Sequence, residues 1–89
     1  MKRYRIIFMG RVQGVGFRYQ MAEQAELLGL GGSAQNLYNG DVEVYLEGEE
    51  KKIMQAINYF LHNPGYVYVS DYFMNEVPLT NNQNFTILY

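Results

Sequence analysis

Three features of the 89-residue sequence predict an α+β fold in two layers. Residues 3–9 alternate as a half-buried strand does, two later stretches carry apolar residues at helical spacing, and Asn39-Gly40 separates two strand-like runs. In chain order these give strand, helix, strand, strand, helix and strand, with a short extra strand at the C-terminus.

Each element has a local cause. Tyr4, Ile6 and Phe8 alternate with Arg3 and Arg5, so one face of the first strand belongs to the core. Phe17, Met21, Ala25 and Leu28 share one helical stripe. Ala22 and Ala25 would allow this helix a close approach to the sheet, and Gly29 is a natural stop. Residues 31–38 and 41–47 flank Asn39-Gly40, the strongest short hairpin signal, and Val42, Val44 and Leu46 give the second of these strands its apolar face. Over 49–62, Ile53, Ala56, Ile57, Phe60 and Leu61 form a second stripe, with Glu49 and Glu50 at the dipole-favoured end and Pro64-Gly65 closing the helix. Tyr66 to Phe73, rich in aromatic residues and valine, reads as a strand; Asn81 to Asn84 is a polar loop before the last strand, Phe85 to Leu88. The expected architecture is a ferredoxin-like βαββαβ two-layer sandwich, an antiparallel sheet with two helices on one face and a short extra C-terminal strand. Enzymes, RNA binders and regulatory domains all use that architecture, so function has to be argued from particular residues.

Composition narrows the field. Residues 1–89 suffice for one small domain with one core, and a hydrophobic content of 48% argues against disorder. Without cysteine there are no disulfides, thiolate metal sites or cysteine nucleophiles. The apolar runs are too short to span a membrane and no signal peptide is visible, so a cytoplasmic protein is expected. Five of the seven basic residues precede position 19, where no acid occurs, leaving Lys51 and Lys52 against nine acids. Basic groups gathered around one loop of an acidic chain suit a small anion better than a nucleic acid, which calls for an extended basic face. No set of His, Asp and Glu has metal-ligand spacing, and strand propensity accounts for the nine tyrosines. His62 suits a helix C-terminus, and Glu47, Glu49 and Glu50 read as a solvated helix start.

The chemistry concentrates in Gly10-Arg-Val-Gln-Gly-Val-Gly-Phe-Arg18. Three glycines in seven positions let the backbone curl between a strand and a helix N-terminus, where successive N–H groups and the helix dipole favour an anion. Arg18 adds a planar fork of donors suited to a phosphoryl group. The run lacks the Lys-Ser/Thr ending of a nucleotide P-loop and the glycine spacing of a dinucleotide fold.

This nonapeptide resembles the signature of the acylphosphatase family. Gly29-Leu30, Asn36, Gly40 and Val42-Glu43 resemble the family's second block, and Pro64-Gly65 and Phe85-Thr86-Ile87 fall where the family has comparable residues. The resemblance runs from about Lys2 to the end, with a highly specific first block and a weak last third. It implies a metal-independent, cofactor-free enzyme that hydrolyses the carboxyl–phosphate bond of acyl phosphates, acting as a monomer without nucleic-acid or membrane partners. Arg18 matches the family's catalytic arginine, and Gln13, Gly14, Val15, Gly16, Phe17 and Arg18 match its phosphate loop. Asn36 fits the water-positioning asparagine, expected on a strand beside the first and facing the loop mouth. Ser33 and Ala34 are smaller than the residues common there, which predicts looser packing of the strand carrying Asn36. The competing readings are an anion-binding or regulatory domain with weak or no turnover and, more distantly, a nucleic-acid-binding module.

Overall fold

The computed structural model describes residues 1–62 and 65–89; Pro64, expected to end the second helix, lies outside the described residues. Its elements are β1 (Lys2–Arg11), α1 (Phe17–Leu28), β2 (Gly31–Asn36), β3 (Val42–Gly48), α2 (Glu50–Leu61), β4 (Tyr68–Val77) and β5 (Phe85–Leu88). They form one sheet in the order β4-β1-β3-β2-β5. The first four strands pair antiparallel, as expected, but β5 joins the edge parallel to β2, so the sheet is mixed.

The chain reaches that edge through a connection held by a buried carboxylate. Glu47, at the end of β3, is 4% exposed. It pairs with Arg3 Nη1 at 2.9 Å and accepts from Thr80 Oγ1 at 2.8 Å and Asn81 N at 2.7 Å. Burial alone would raise its pKa, but the hydrogen bonds from Thr80, Arg3 and Asn81 outweigh that and hold it below the ordinary glutamate value. Glu47 is therefore no part of a solvated helix start. It carries the segment after β4 across the sheet, and β5 then runs in the direction of β2.

Strand alternation decides which face the helices cover. Ile6 and Phe8 of β1, Ala34 of β2, and Val42, Val44 and Leu46 of β3 are all fully buried, under Phe17, Met21 and Ala25 of α1 and Ile53, Ala56, Ile57 and Phe60 of α2. The phenylalanines lock the layers together. Phe17 lies 5.0 Å from Phe8 and 4.5 Å from Phe60, centroid to centroid. Burying each ring contributes roughly 1.5–3 kcal/mol, and this contact fixes where α1 begins. The α1 C-terminus is equally defined. Leu30 N–H donates to the Ala25 carbonyl at 2.8 Å and Gly29 N–H to Glu26 at 3.3 Å, with Gly29 left-handed, a Schellman cap.

Several boundaries differ from expectation. The Asn39-Gly40 turn is a three-residue loop, because Leu37 N–H bonds the Asp41 carbonyl and Gly40 N–H bonds the Leu37 carbonyl. Gly40 has positive φ and Asn39 does not, so this is not the two-residue form that needs both. The fourth strand starts at Tyr68 and extends to Val77, since β1 offers partners back to Arg3. Leu61 stays partly exposed at the end of α2. Ala34 is fully buried opposite Val44, and Ser33 lies on the uncovered face.

Candidate functional site

Topology brings the site together. β1, β2 and β5 all pair so as to point the same way, and their C-terminal ends share one edge of the sandwich. The glycine loop leaves β1 there, Asn36 ends β2 there, and Leu88-Tyr89 ends β5 there. β3 lies between β1 and β2, so Asn36 is not on the strand next to the first, as the sequence suggested. It shares the parity of Gly32 and Ala34, which puts it on the helix-covered face, beneath the start of α1.

The loop backbone is what an anion cradle needs. Gly14 and Gly16 have φ of 73° and 79°, left-handed values that side chains with a Cβ adopt at a cost. A Cβ on Gly14 would meet no protein atom within 4 Å, and one on Gly16 only Gln20 Nε2 at 3.9 Å. Crowding therefore does not dictate these glycines; the curl of the chain does, and the space above it is open. The first helical bond of α1 runs from Gln20 N–H to the Gly16 carbonyl at 3.0 Å, so the N–H groups of Phe17, Arg18 and Tyr19 have no acceptor inside the helix. Among the described residues, no backbone group accepts from Gly14, Val15 or Gly16 N–H either.

Contacts on two sides steady this loop. Gln13 Nε2 donates to the carbonyls of Leu37 at 2.7 Å and Asp41 at 2.9 Å, joining the loop to the β2–β3 turn. Arg18 Nη1 donates to the Leu88 carbonyl at 2.9 Å, and its guanidinium lies 5.0 Å from the Tyr89 ring centre. That side of the fork is fixed by β5, while Nε and Nη2 have no acceptor among the described residues. Tyr89 and Tyr19 share a hydrogen bond at 3.4 Å, which holds the Tyr89 phenol above its ordinary pKa against the opposing pull of Arg18. Tyr89 therefore stays neutral beside the cradle at neutral pH.

Val12, Gly14, Gly16, Phe17, Arg18 and Asn36 line a cleft of about 110 Å³. Asn36 Oδ1 is buried and has no hydrogen-bond partner. An unpaired buried acceptor costs about 1–3 kcal/mol, and such a group at a cleft is an invitation to a donor. A water's share of liquid is about 30 Å³, so the cleft has room for a phosphoryl group with a water beside it.

The expected gathering of basic groups does not occur. Lys2, Arg3 and Arg5 sit toward the other end of β1 and pair with acids: Lys2 with Glu50 and Glu76, Arg3 with Glu47, Arg5 with Glu43 at 2.7 Å. β1 is an inner strand, and its neighbours supply carboxylates that the first nineteen residues lack. Arg11 and Arg18 are the basic side chains left near the loop. His62 caps α2 through the Asn58 carbonyl and does not line the cleft. Among the described residues, no group of three or more His, Cys, Asp or Glu could hold a metal ion, and no helix is long and apolar enough to cross a membrane.

Sequence reading missed two contributors. Gln13 was expected to act through its backbone alone, although a polar side chain in so short a loop is a signal for a tether. Leu88 and Tyr89 carry no local sign that the C-terminus returns to Arg18.

The family model described as acylphosphatase matches residues 4–87. The chain belongs to the acylphosphatase family. An acylphosphatase of Clostridium beijerinckii is 40% identical over 90 residues, covering all of both chains, and one of Vibrio vulnificus is 40% identical over 84 residues, 94% of this chain and 93% of that one. The crystal structure of acylphosphatase from Bacillus subtilis superposes with a TM-score of 0.92 at 36% identity over the whole of both chains. Full-length HypF in a phosphate- and nucleotide-bound form aligns with 99% of this chain at a TM-score of 0.87 and 27% identity, but over 12% of its own length. Acylphosphatases are hydrolases, and full-length likeness to them makes this chain an enzyme that acts on acyl phosphates.

Proposed function

We propose that this domain, residues 1–89, hydrolyses acyl phosphates by holding the phosphoryl group on the glycine loop and aiming one water at it. The observation that carries the reading is that Asn36, with its partnerless Oδ1, lines the same small cleft as Gly14, Gly16 and Arg18.

The N–H groups of Gln13, Gly14, Val15, Gly16, Phe17 and Arg18 take the non-bridging oxygens, with the α1 dipole behind them. The free donors of Arg18 bind the same oxygens and tighten as charge spreads in the transition state. Asn36 Oδ1 accepts from the water and orients it without acting as a base. The water oxygen bonds to phosphorus as the bond to the acyl oxygen breaks, and the carboxylate departs. One water proton passes to a phosphoryl oxygen, so the products are carboxylate and inorganic phosphate. The acyl phosphate is already activated, so positioning and charge stabilisation suffice and no metal or cofactor is required in this scheme.

The test is benzoyl phosphate hydrolysis in the presence of chelator by wild type, Arg18→Ala and Arg18→Lys. Chelator-insensitive turnover is expected in wild type, lost at least about 100-fold in Arg18→Ala and poorly restored by lysine, which has no planar fork. A folded wild type that binds phosphate and turns nothing over would make the loop a receptor.

A further inference from the structure

We propose that Asn39-Gly40 is a self-modifying site: the turn loses ammonia and converts to an isoaspartyl linkage, and the modified enzyme is slower. Asn39 is the only asparagine in the chain followed by glycine. Glycine has no side chain to hinder its own nitrogen, and its backbone can fold back onto the preceding amide. Asn36 precedes Leu37, and the asparagines of the 81–84 loop precede Asn, Gln and Phe, whose side chains oppose that approach. Asn63 precedes proline, which has no N–H to react.

The turn geometry favours the reaction. Asn39 and Gly40 are exposed, and a Cβ on Gly40 would meet no protein atom within 4 Å, so that side of the turn is open. Asp41 N–H donates to Asn39 Oδ1 at 3.0 Å, and Asn39 Nδ2 donates to Asp41 Oδ2 at 3.0 Å. The first bond folds the side-chain amide over the Gly40 peptide, polarises its carbonyl carbon and stabilises the oxyanion that attack creates. Gly40 N–H must first leave the Leu37 carbonyl, a 3.2 Å bond on an exposed turn, while Leu37 N–H keeps the Asp41 carbonyl at 2.8 Å. The Gly40 nitrogen then bonds to Asn39 Cγ, the Cγ–Nδ2 bond breaks, and the amide proton leaves with Nδ2 as ammonia. A water opens the resulting five-membered imide. Opening at the side-chain carbonyl gives aspartate; opening at the main-chain carbonyl gives isoaspartate, whose main chain runs through Cβ.

The consequence reaches the site through Gln13. Its side chain donates to the carbonyls of Leu37 and Asp41, which stand on either side of the modified linkage. Isoaspartate adds a methylene to the main chain between those two acceptors, so one amide no longer spans both in this geometry. Leu37 adjoins Asn36, and the tether between the glycine loop and the end of β2 loosens. Conversion also removes the Nδ2 donor and sets a new carboxylate beside Asp41. Repulsion between exposed charges is small, so the lengthened chain carries most of the effect. The modification itself does not depend on the acyl phosphate reading; its effect on rate rests on that reading.

The experiment incubates wild type, Asn39→Asp and Asn39→Ser in warm, mildly alkaline buffer and follows peptide masses beside benzoyl phosphate turnover. Mass mapping with isoaspartyl methyltransferase labelling should place the amide-to-acid conversion at Asn39 well ahead of the 81–84 loop, mostly as isoaspartate. The converted form, separated by its added charge, should have kcat about fivefold or more below fresh enzyme. Asn39→Asp, with the same charge on an ordinary main chain, should stay within about threefold of wild type. Asn39→Ser should hold its rate through the incubation. Asn39 still intact after other asparagines have converted, or a converted form as fast as fresh enzyme, would overturn the proposal. So would Asn39→Asp as slow as the converted form, because charge alone would then suffice. Fresh folded wild type without turnover would remove the acyl phosphate reading, and mass mapping would still decide the modification.

Discussion

Gln13 and Leu37 are joined by a 2.7 Å hydrogen bond that ties the glycine loop to the end of the strand carrying Asn36. One side-chain amide, bonded also to Asp41, thereby sets the spacing between the proposed phosphate cradle and the proposed water site. Backbone N–H groups cannot reposition themselves once the loop is misplaced, so this tether matters to rate as well as to stability.

Gln13→Ala should lower stability by about 1–2 kcal/mol, the value of two ordinary hydrogen bonds. It should lower kcat about tenfold or more, since small misplacements in positioning catalysis are costly. Gln13→Glu has similar shape but offers the two carbonyls no donor at neutral pH, and should be no better. Urea unfolding alongside steady-state kinetics checks both; unchanged kcat in a variant that has lost stability would make the tether purely structural.

Gly14→Ala separates conformation from crowding. No protein atom lies within 4 Å of the added Cβ, so the stability loss should be only the roughly 1 kcal/mol of a left-handed backbone. Inorganic phosphate should nevertheless inhibit the variant at least about tenfold more weakly, because the curl that aims the N–H groups is lost. Normal phosphate inhibition would mean that the cradle lies elsewhere.

Glu47 links the fold to pH. Its folded pKa lies below the ordinary glutamate value of about 4.3. Its contribution to stability is therefore complete above that value and disappears as pH falls through the lowered folded pKa. Glu47→Gln leaves Arg3 without its partner charge and should cost about 2–3 kcal/mol at pH 7. The difference from wild type should shrink in acid, as denaturant midpoints measured from pH 7 down to pH 3 would reveal. A difference independent of pH would remove the charge from this role.

Much of this was legible in the sequence, and the physics says why. The alternation in β1, the stripes of α1 and α2 and the glycine loop are local patterns, and their consequences are local. Asn36 was nominated by its resemblance to a family block; its burial needed the strand parity set by β3. What escaped were pairings across the chain. Arg3 and Arg5 look like surplus charge until β3 brings Glu47 and Glu43 beside them. Glu47 looks solvated beside Glu49 and Glu50 until the segment at Thr80 and Asn81 closes over it. The parallel docking of β5 has no signature within its own four residues, and neither does the return of Leu88 to Arg18.

The division of labour between Arg18 and Asn36 is the central claim, and Asn36→Ala tests it most directly. The measurement is kcat for benzoyl phosphate beside the inhibition constant of inorganic phosphate, in wild type and variant. Loss of water orientation alone predicts a fall in kcat of about 100-fold or more with the phosphate constant within about threefold. Stability should hold, because a buried acceptor without a partner is removed. Phosphate affinity falling in step with kcat would contradict the claim and make Asn36 a phosphate ligand.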